Sequence, residues 1–234
     1  YARSAEPLEI QNAHAFYRSV IDFSHLFQGI TDSTMPRDEG WYFLQTGKFL
    51  ERAEKTARAL DVKYHLLVRD ASESAGPNGH PQEAVPGDWH QWIAVLRSLS
   101  AYEAYHKLYR SAVQPEAVIE MLTYSPIFPR SIRFAIEKVE VALDRISAHR
   151  VADSELMATI ASPMGLGAAS GPDNAERAVG RLRGRLAYGS IEEMFAEGLH
   201  AYLLDVQRRC FVIGEHIQAQ YFAPRILRQD EVVQ

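Results

Sequence analysis

One uninterrupted helical pattern, from about Asp38 to Val68, constrains the possible folds of this chain more than any other feature of its sequence. Apolar or small residues recur there at steps of three and four positions, the spacing that places them on one face of an α-helix. Asp38 is a suitable N-cap, and Glu39 lies where the helix dipole favours a negative charge. The stripe consists of Phe43, Gly47, Leu50, Ala53, Ala57, Leu60, Tyr64 and Leu67. We therefore predict a long helix that other helices can approach closely at its small residues.

The same period recurs elsewhere, and no segment shows the alternation of a half-buried strand. Pro115 suits the first turn of a helix, and Ser190 with Glu193 has the spacing of a capping box. The fold class predicted is therefore all-α, a multi-helix bundle with one long charged central helix. Further helices are predicted at residues 8–30, 88–99, 100–109, 115–123, 130–149, 173–188 and 191–222.

Two segments rich in glycine, proline and serine interrupt this pattern. Residues 70–87 are predicted to be an exposed loop, and residues 150–172 a flexible linker or loop. We accordingly assign a helical bundle to residues 1–149 and a C-terminal helical hairpin, packed on that bundle, to residues 173–234. A division into two lobes at the linker is left open.

Composition excludes several classes of protein. Hydrophobic residues make up 47% and charged residues 24% of the chain, which is the balance of a globular protein. The net charge of -5 argues against a general nucleic-acid binder. Cys210 is the only cysteine, so disulfide frameworks and multi-cysteine metal sites are excluded, and we expect a buried, inert thiol in a reducing compartment. No apolar run reaches the roughly 20 residues that span a bilayer. We expect a cytoplasmic protein without nucleic-acid or membrane partners.

The long helix carries a line of charges beside its apolar stripe. With successive residues about 100° apart, Glu51, Glu54, Arg58 and Asp61 form this line, whereas Arg52 points elsewhere. One interpretation is a solvated face, on which the Glu54–Arg58 pair contributes roughly 0.2–0.5 kcal/mol. The other is a partly buried network between helices that fixes their register or lines a polar pocket. Removing one partner from such a network would cost about 3–5 kcal/mol.

Two Glu-x-x-His patterns suggest a different constellation. A four-helix carboxylate site for two metal ions uses two such motifs and a glutamate from each of two further helices. This chain offers Glu103 with His106 and Glu197 with His200, and Glu51 or Glu54 with Glu137 or Glu140 would complete the set. Because such short motifs also arise by chance, we assign no metal ligand and expect no cofactor.

Several segments resemble the alpha-E domain family of bacteria, a helical family with a Glu-Arg motif, here Glu51-Arg52. The segment SHLFQGITDSTMPRDEGWYFLQTGKFLERAEKTARALDVKYHLL carries the main resemblance. WHQWIAVLRSLSAYEAYHKLY, FPRSIRF and EGLHAYLLDVQ are also similar to the family, so the likeness spans nearly the whole chain. Members usually begin with an earlier helix bearing a first Glu-Arg motif. Only the second copy is found, which implies either a missing N-terminal segment or a shortened member.

The resemblance implies a partner and a role. Family members occur beside, or fused to, circularly permuted ATP-grasp proteins, and near transglutaminase-like and proteasome-like peptidase proteins. It follows that the chain is expected to be an accessory or substrate-recognition protein for an ATP-grasp ligase that forms or modifies peptide or amide bonds. Two alternatives stay open: a stand-alone enzyme that acts on acyl or amide substrates through a Glu/Arg/Asp groove, and a di-metal carboxylate helical protein.

The candidate site residues combine the motif positions with the line of charges. No catalytic residue is assigned, and whether the chain is an enzyme is left open. The binding or structural charge network comprises Glu51, Arg52, Glu54, Arg58 and Asp61. Secondary candidates are Thr34, Arg37, Arg130, which follows Pro129 at a predicted helix start, and His200.

Overall fold

A computed structural model describes the backbone of residues 10–74, 89–160 and 174–222, and side chains within 13–64, 89–150 and 174–222. All regular structure in these ranges is helical, which confirms the predicted all-α, multi-helix class. No helix in this part of the chain is both long and apolar enough to cross a bilayer. The helices are α1 (Ile10–Thr34), α2 (Glu39–Ser74), α3 (Trp89–Ser98), α4 (Tyr102–Tyr109), α5 (Pro115–Tyr124), α6 (Ile132–Ile160), α7 (Ala175–Tyr188), α8 (Ile191–Glu197) and α9 (Leu199–Ile217), and a π-helical segment follows at Gln218–Phe222.

The chain divides into two compact units, residues 1–41 and 42–234. In the first unit, α1 ends at a turn that local side chains hold. Arg37 donates to the Asp32 carbonyl at 2.7 Å, and its guanidinium carbon lies 4.2 Å from the centroid of a Trp41 ring. The Asp38 carboxylate accepts from the Trp41 backbone N–H at 3.1 Å, so Asp38 caps α2 as predicted.

The second unit is built around α2, α6, α7 and α9. Helix α7 packs against both α6 and α9. On α2, Phe49 lies 6.1 Å from the ring of Phe134 on α6, and Phe43 lies 5.2 Å from the ring of Tyr221 just beyond α9. Ala53, Ala57 and Leu60 of α2 are fully buried, as the apolar stripe predicts. Gly47, also assigned to the stripe, is exposed, and the side chain of Leu67 lies outside the described residues. These four helices thus bury a shared core, against which α3, α4 and α5 pack.

Local signals mark the starts of several helices and the break between two of them. Pro115 occupies the first turn of α5. Ser190 and Glu193 form the predicted capping box of α8. The prediction of one helix over residues 191–222 is wrong, because Gly198 has φ 96° and separates α8 from α9. Only glycine adopts that backbone conformation at little cost, so the chain turns there and resumes as a new helix.

Two of the predicted loops are shorter than the sequence suggested. Helix α2 continues to Ser74, and α6 continues to Ile160, so residues 150–160, assigned above to the linker, are helical. Glycine and proline first interrupt the helical pattern only beyond those points. The remainder of both predicted loops, residues 75–87 and 161–172, and position 88, at which the next helix was predicted to begin, lie outside the described residues.

Candidate functional site

The candidate site lies along one side of α2, where it runs antiparallel to α9. Asp61 of α2 places Oδ1 2.6 Å from Nδ1 of His200 on α9. The Asp61 side chain is only 14% exposed, whereas that of His200 keeps 45% of its surface. A carboxylate in this position fixes the orientation of the imidazole, as it does in many acid–base sites. The contact therefore both joins two helices and presents a positioned imidazole at the surface.

Glu54 lies two helical turns before Asp61 and forms ion pairs with its neighbours. Its carboxylate pairs with Arg58 and lies 3.7 Å from the Lys55 ammonium. The Glu54 side chain is 20% exposed, and those of Arg58 and Lys55 are more than half exposed. Burial, and then the nearby Glu54 charge, raise the pKa of the Cys210 thiol on α9 to about 12. Glu54 therefore lies at the junction of the two helices, with its positive partners on the solvent side.

The structure divides the predicted line of charges. Glu51 and Arg58 are exposed, whereas Glu54 and Asp61 are partly buried. We call the group formed by Glu54, Arg58, Asp61 and His200 the α2–α9 seam. The predicted network is thus brought together in part, and Glu51 lies outside it. That the seam binds a ligand remains a prediction.

Arg52 projects from another side of α2 and contacts the turn before α6. Its Nη1 donates to the Pro129 carbonyl at 3.2 Å, and Thr56 Oγ1 donates to the Arg130 carbonyl at 2.9 Å. Burial, and then the nearby charge of Arg130, lower the pKa of Arg52. The motif arginine and Arg130 are therefore neighbours. Together with Thr56, Arg52 anchors the start of α6 to α2.

The other two secondary candidates lie in the first unit. Thr34 donates to the Ile30 carbonyl of its own helix at 2.8 Å. Arg37 forms an ion pair with Asp32 at 3.1 Å, in the turn described above. In the structure, Thr34 and Arg37 both form contacts at the C-terminal end of α1 and in the turn that follows it.

A partly buried carboxylate that sequence reasoning missed, that of Glu176, joins α6 and α7 to the π-helical segment. Glu176 Oε1 accepts from Tyr221 at 2.6 Å, from Ser147 at 2.9 Å and from Gln220 at 3.1 Å. Burial opposes its ionisation, but these hydrogen bonds outweigh that effect, so the pKa of Glu176 lies below its ordinary value. The sequence feature that could have drawn attention to Glu176 is the dipeptide Glu176-Arg177, which has the same two residues as the Glu51-Arg52 motif.

The two Glu-x-x-His patterns do not assemble into a metal site. In the part of the chain that is described, no group of three or more His, Cys, Asp or Glu residues is placed to hold a metal ion. Glu197 pairs with Arg185, and His200 with Asp61. The physical reason is the break at Gly198: Glu197 ends α8 and His200 belongs to α9, so the spacing that places both residues on one helical face is lost.

The described fold is all-helical, and its long helix α2, which carries the Glu51-Arg52 dipeptide, contacts α9 through Asp61 and the turn before α6 through Arg52. The model of the Alpha-E family, described as a predicted alpha-helical domain with a conserved ER motif, matches residues 2–222. The chain belongs to this family. No curated protein and no solved structure matches it significantly.

Proposed function

We propose that the chain is an accessory protein that docks onto an ATP-grasp ligase in a bacterial cytoplasm, where the ligase forms or modifies peptide or amide bonds. The observation that carries this proposal is the apolar surface of α1. Eight large apolar side chains of this helix are between 46% and 68% exposed. They are Phe16, Tyr17, Val20, Ile21, Phe23, Leu26, Phe27 and Ile30.

The exposed apolar residues of α1 form a continuous stripe. Phe16, Val20, Phe23, Phe27 and Ile30 follow one another at steps of three and four, so they share one face of the helix. The opposite face carries polar residues that include an exposed Arg18–Asp22 ion pair. Contiguous apolar surface of this extent is characteristic of protein-binding surfaces, and an amphipathic helix in a groove is a common mode of recognition.

The identity of the partner follows from the family resemblance. Proteins of this kind occur beside or fused to ATP-grasp proteins, and such an arrangement favours a direct complex. The transglutaminase-like and proteasome-like proteins of the same neighbourhoods are further candidates. Neither unit needs to carry the ligation chemistry in this proposal, since the ATP-grasp enzyme supplies it.

Binding of the purified chain to the neighbouring ATP-grasp ligase, measured by calorimetry, tests the proposal. A double variant, Phe23→Ser with Phe27→Ser, should raise the Kd by at least about tenfold, since each buried phenylalanine contributes roughly 1.5–3 kcal/mol. His25→Ser is the matched control, because it alters an exposed side chain on the polar face of the same helix. Absence of binding by the intact chain, with full ligase activity when the chain is omitted, would overturn the proposal.

The Asp61–His200 contact favours a second candidate function, a stand-alone enzyme acting on acyl or amide substrates. An imidazole held by a carboxylate at 2.6 Å is equipped for general acid–base catalysis. Purified chain should then turn over such a substrate without the ligase. Asp61→Asn should lower kcat by at least about a hundredfold, whereas the exposed Glu51→Gln should leave it unchanged. Equal turnover by both variants would exclude the seam as the catalytic site.

A further inference from the structure

Two arginines lie side by side where α2 contacts the turn before α6. Arg52 donates to the Pro129 carbonyl at 3.2 Å and Thr56 to the Arg130 carbonyl at 2.9 Å, so α2 holds both residues of this turn. Neither guanidinium forms an ion pair with the residues that the structure describes. Burial, and then the charge of Arg130, lower the pKa of Arg52, as expected for two like charges held together. An anion between them would relieve this repulsion.

The acidic residues closest along the two helices do not neutralise this pair. Glu51 precedes the first arginine and projects about 100° away from it around α2. Glu54 pairs with Arg58 on the side that faces α9. On α6, Glu137 accepts from Arg133 at 2.8 Å. The positive charge of the two arginines is therefore left for a group from outside the chain.

A ligand can reach both guanidinium groups. Arg52 and Arg130 are each partly exposed, and neither has a buried side-chain nitrogen without a partner in the part of the chain that is described. Arg52 uses one N–H group on the Pro129 carbonyl. A guanidinium carries five N–H donors, so most of those on the two arginines face water that a ligand can replace.

Two lysines extend the positive charge along the same pair of helices. The Lys48 ammonium lies 4.9 Å from the centroid of the Phe49 ring, and the guanidinium carbon of Arg52 lies 5.0 Å from the same centroid. The Lys138 ammonium lies 5.1 Å from the centroid of the Phe134 ring, and the two rings are 6.1 Å apart. Lys48 precedes Arg52 by one helical turn, about 5.4 Å. The lysines thus form a second pair of cations, one turn from the arginines.

We propose that these four cations, the α2–α6 basic patch, bind the phosphate chain of a small molecule that has at least two phosphate groups. The patch consists of Lys48, Arg52, Arg130 and Lys138. A phosphate group has close to two negative charges and three acceptor oxygens, enough for two guanidinium groups, whereas one guanidinium already occupies both oxygens of a carboxylate. The arginines contact one phosphate and the lysines the next. The inference goes beyond docking, since it uses none of the α1 residues.

Binding of phosphate-bearing anions to the full chain tests this inference in the absence of any ligase, so its outcome is independent of the docking proposal. The probes are pyrophosphate, ADP, inorganic phosphate and succinate, followed by calorimetry at about 50 mM salt, because salt screens exposed charges. Inorganic phosphate and the dicarboxylate succinate should each bind at least about tenfold more weakly than pyrophosphate. Equal affinity for ADP and pyrophosphate indicates that the phosphate chain alone is recognised, and tighter binding of ADP indicates a nucleotide.

Two variants of the patch and one control locate the binding. Arg130→Gln should raise the Kd for pyrophosphate at least about tenfold, and the fold should persist because Thr56 contacts the carbonyl of this residue and not its side chain. Lys138→Gln, at an exposed position, should raise the Kd severalfold and keeps the test valid if the first variant fails to fold. Arg208→Gln is the matched control, because it removes the same charge from an exposed position of α9. No saturable binding of pyrophosphate by folded wild type up to about 10 mM, or an equal loss of affinity in the control, would overturn the inference.

Discussion

Asp61 and His200 are 139 positions apart in the chain, and their Oδ1 and Nδ1 atoms lie 2.6 Å from each other. A second contact joins Phe43, near the start of α2, to Tyr221, just beyond the end of α9, so the two helices run antiparallel. A hydrogen bond is directional, unlike the apolar contacts beside it. The pair therefore selects one register of the two helices.

A double-mutant cycle on Asp61→Asn and His200→Ala should give a coupling free energy of about 0.5–1.5 kcal/mol in urea unfolding. The cycle is needed because both residues make further interactions, which the single variants would also remove. Glu51→Gln, at the exposed end of the same line of charges, should change the free energy of unfolding by less than about 0.5 kcal/mol. Additive effects of the two seam variants would show that the contact does not stabilise the fold.

Thr56→Val should lower the free energy of unfolding by about 1–2 kcal/mol. Thr56 is 2% exposed, and valine of similar shape leaves the Arg130 carbonyl without its donor. Thr46→Val is the matched control, because Thr46 is equally buried but donates to the Tyr42 carbonyl of its own helix. Chemical denaturation of both variants should show the larger loss for Thr56→Val. Equal losses would mean that the bond to the start of α6 contributes nothing beyond local helix contacts.

Gly189→Ala should destabilise the chain by about 1–3 kcal/mol. A Cβ at this position would lie 2.6 Å from the Arg185 carbonyl oxygen and 3.3 Å from the Tyr124 hydroxyl, so the end of α7 or Tyr124 must move. Gly184→Ala, inside α7 with nothing within 4 Å of its Cβ, should instead stabilise the helix by about 0.5–1 kcal/mol. Thermal unfolding of the two variants should therefore show shifts of opposite sign.

Glu176→Gln should reduce the dependence of stability on acid pH. Because hydrogen bonds hold the pKa of Glu176 below its ordinary value of 4.5, its ionised form stabilises the fold above the unfolded-state pKa, and this contribution is lost as pH falls through the folded-state pKa. The Tm of the wild type should therefore approach that of the glutamine variant as pH falls below about 5. Tyr221→Phe, which removes one of the donors, should show part of the same effect. A constant difference in Tm between wild type and Glu176→Gln across this range would contradict the assignment.

Cys210 should react slowly with iodoacetamide while the chain is folded. The side chain is 3% exposed, and its pKa of about 12 leaves almost no thiolate near neutral pH. Mass spectrometry should find complete labelling after unfolding in guanidinium chloride and little labelling before it. Rapid labelling under native conditions would show that the junction of α2 and α9 opens readily.

Some residues of the candidate site could be predicted from the sequence and others could not, and the physical reason differs between them. Glu54 and Asp61 were placed beside the apolar stripe by helical geometry alone, and both are partly buried. The partner of Asp61 was not predictable, since His200 belongs to a helix whose start depends on the backbone at Gly198. A cavity of about 300 Å³ at the turn from α7 to α8 was not predicted either, because its residues come from α5, α7, α8 and α9 and share no spacing in the sequence.

The sequence by itself determined the helical class, the buried residues Ala53, Ala57 and Leu60 of the α2 stripe, the Asp38 cap and the Ser190–Glu193 capping box. Those features depend on residues within about one or two turns of each other, so local spacing is sufficient to specify them. Only the tertiary structure decided that Asp61 meets His200, that Thr56 meets the Arg130 carbonyl, and that Glu176 meets Tyr221. These contacts depend on how separate helices pack against one another, which the spacing of residues along one helix does not encode.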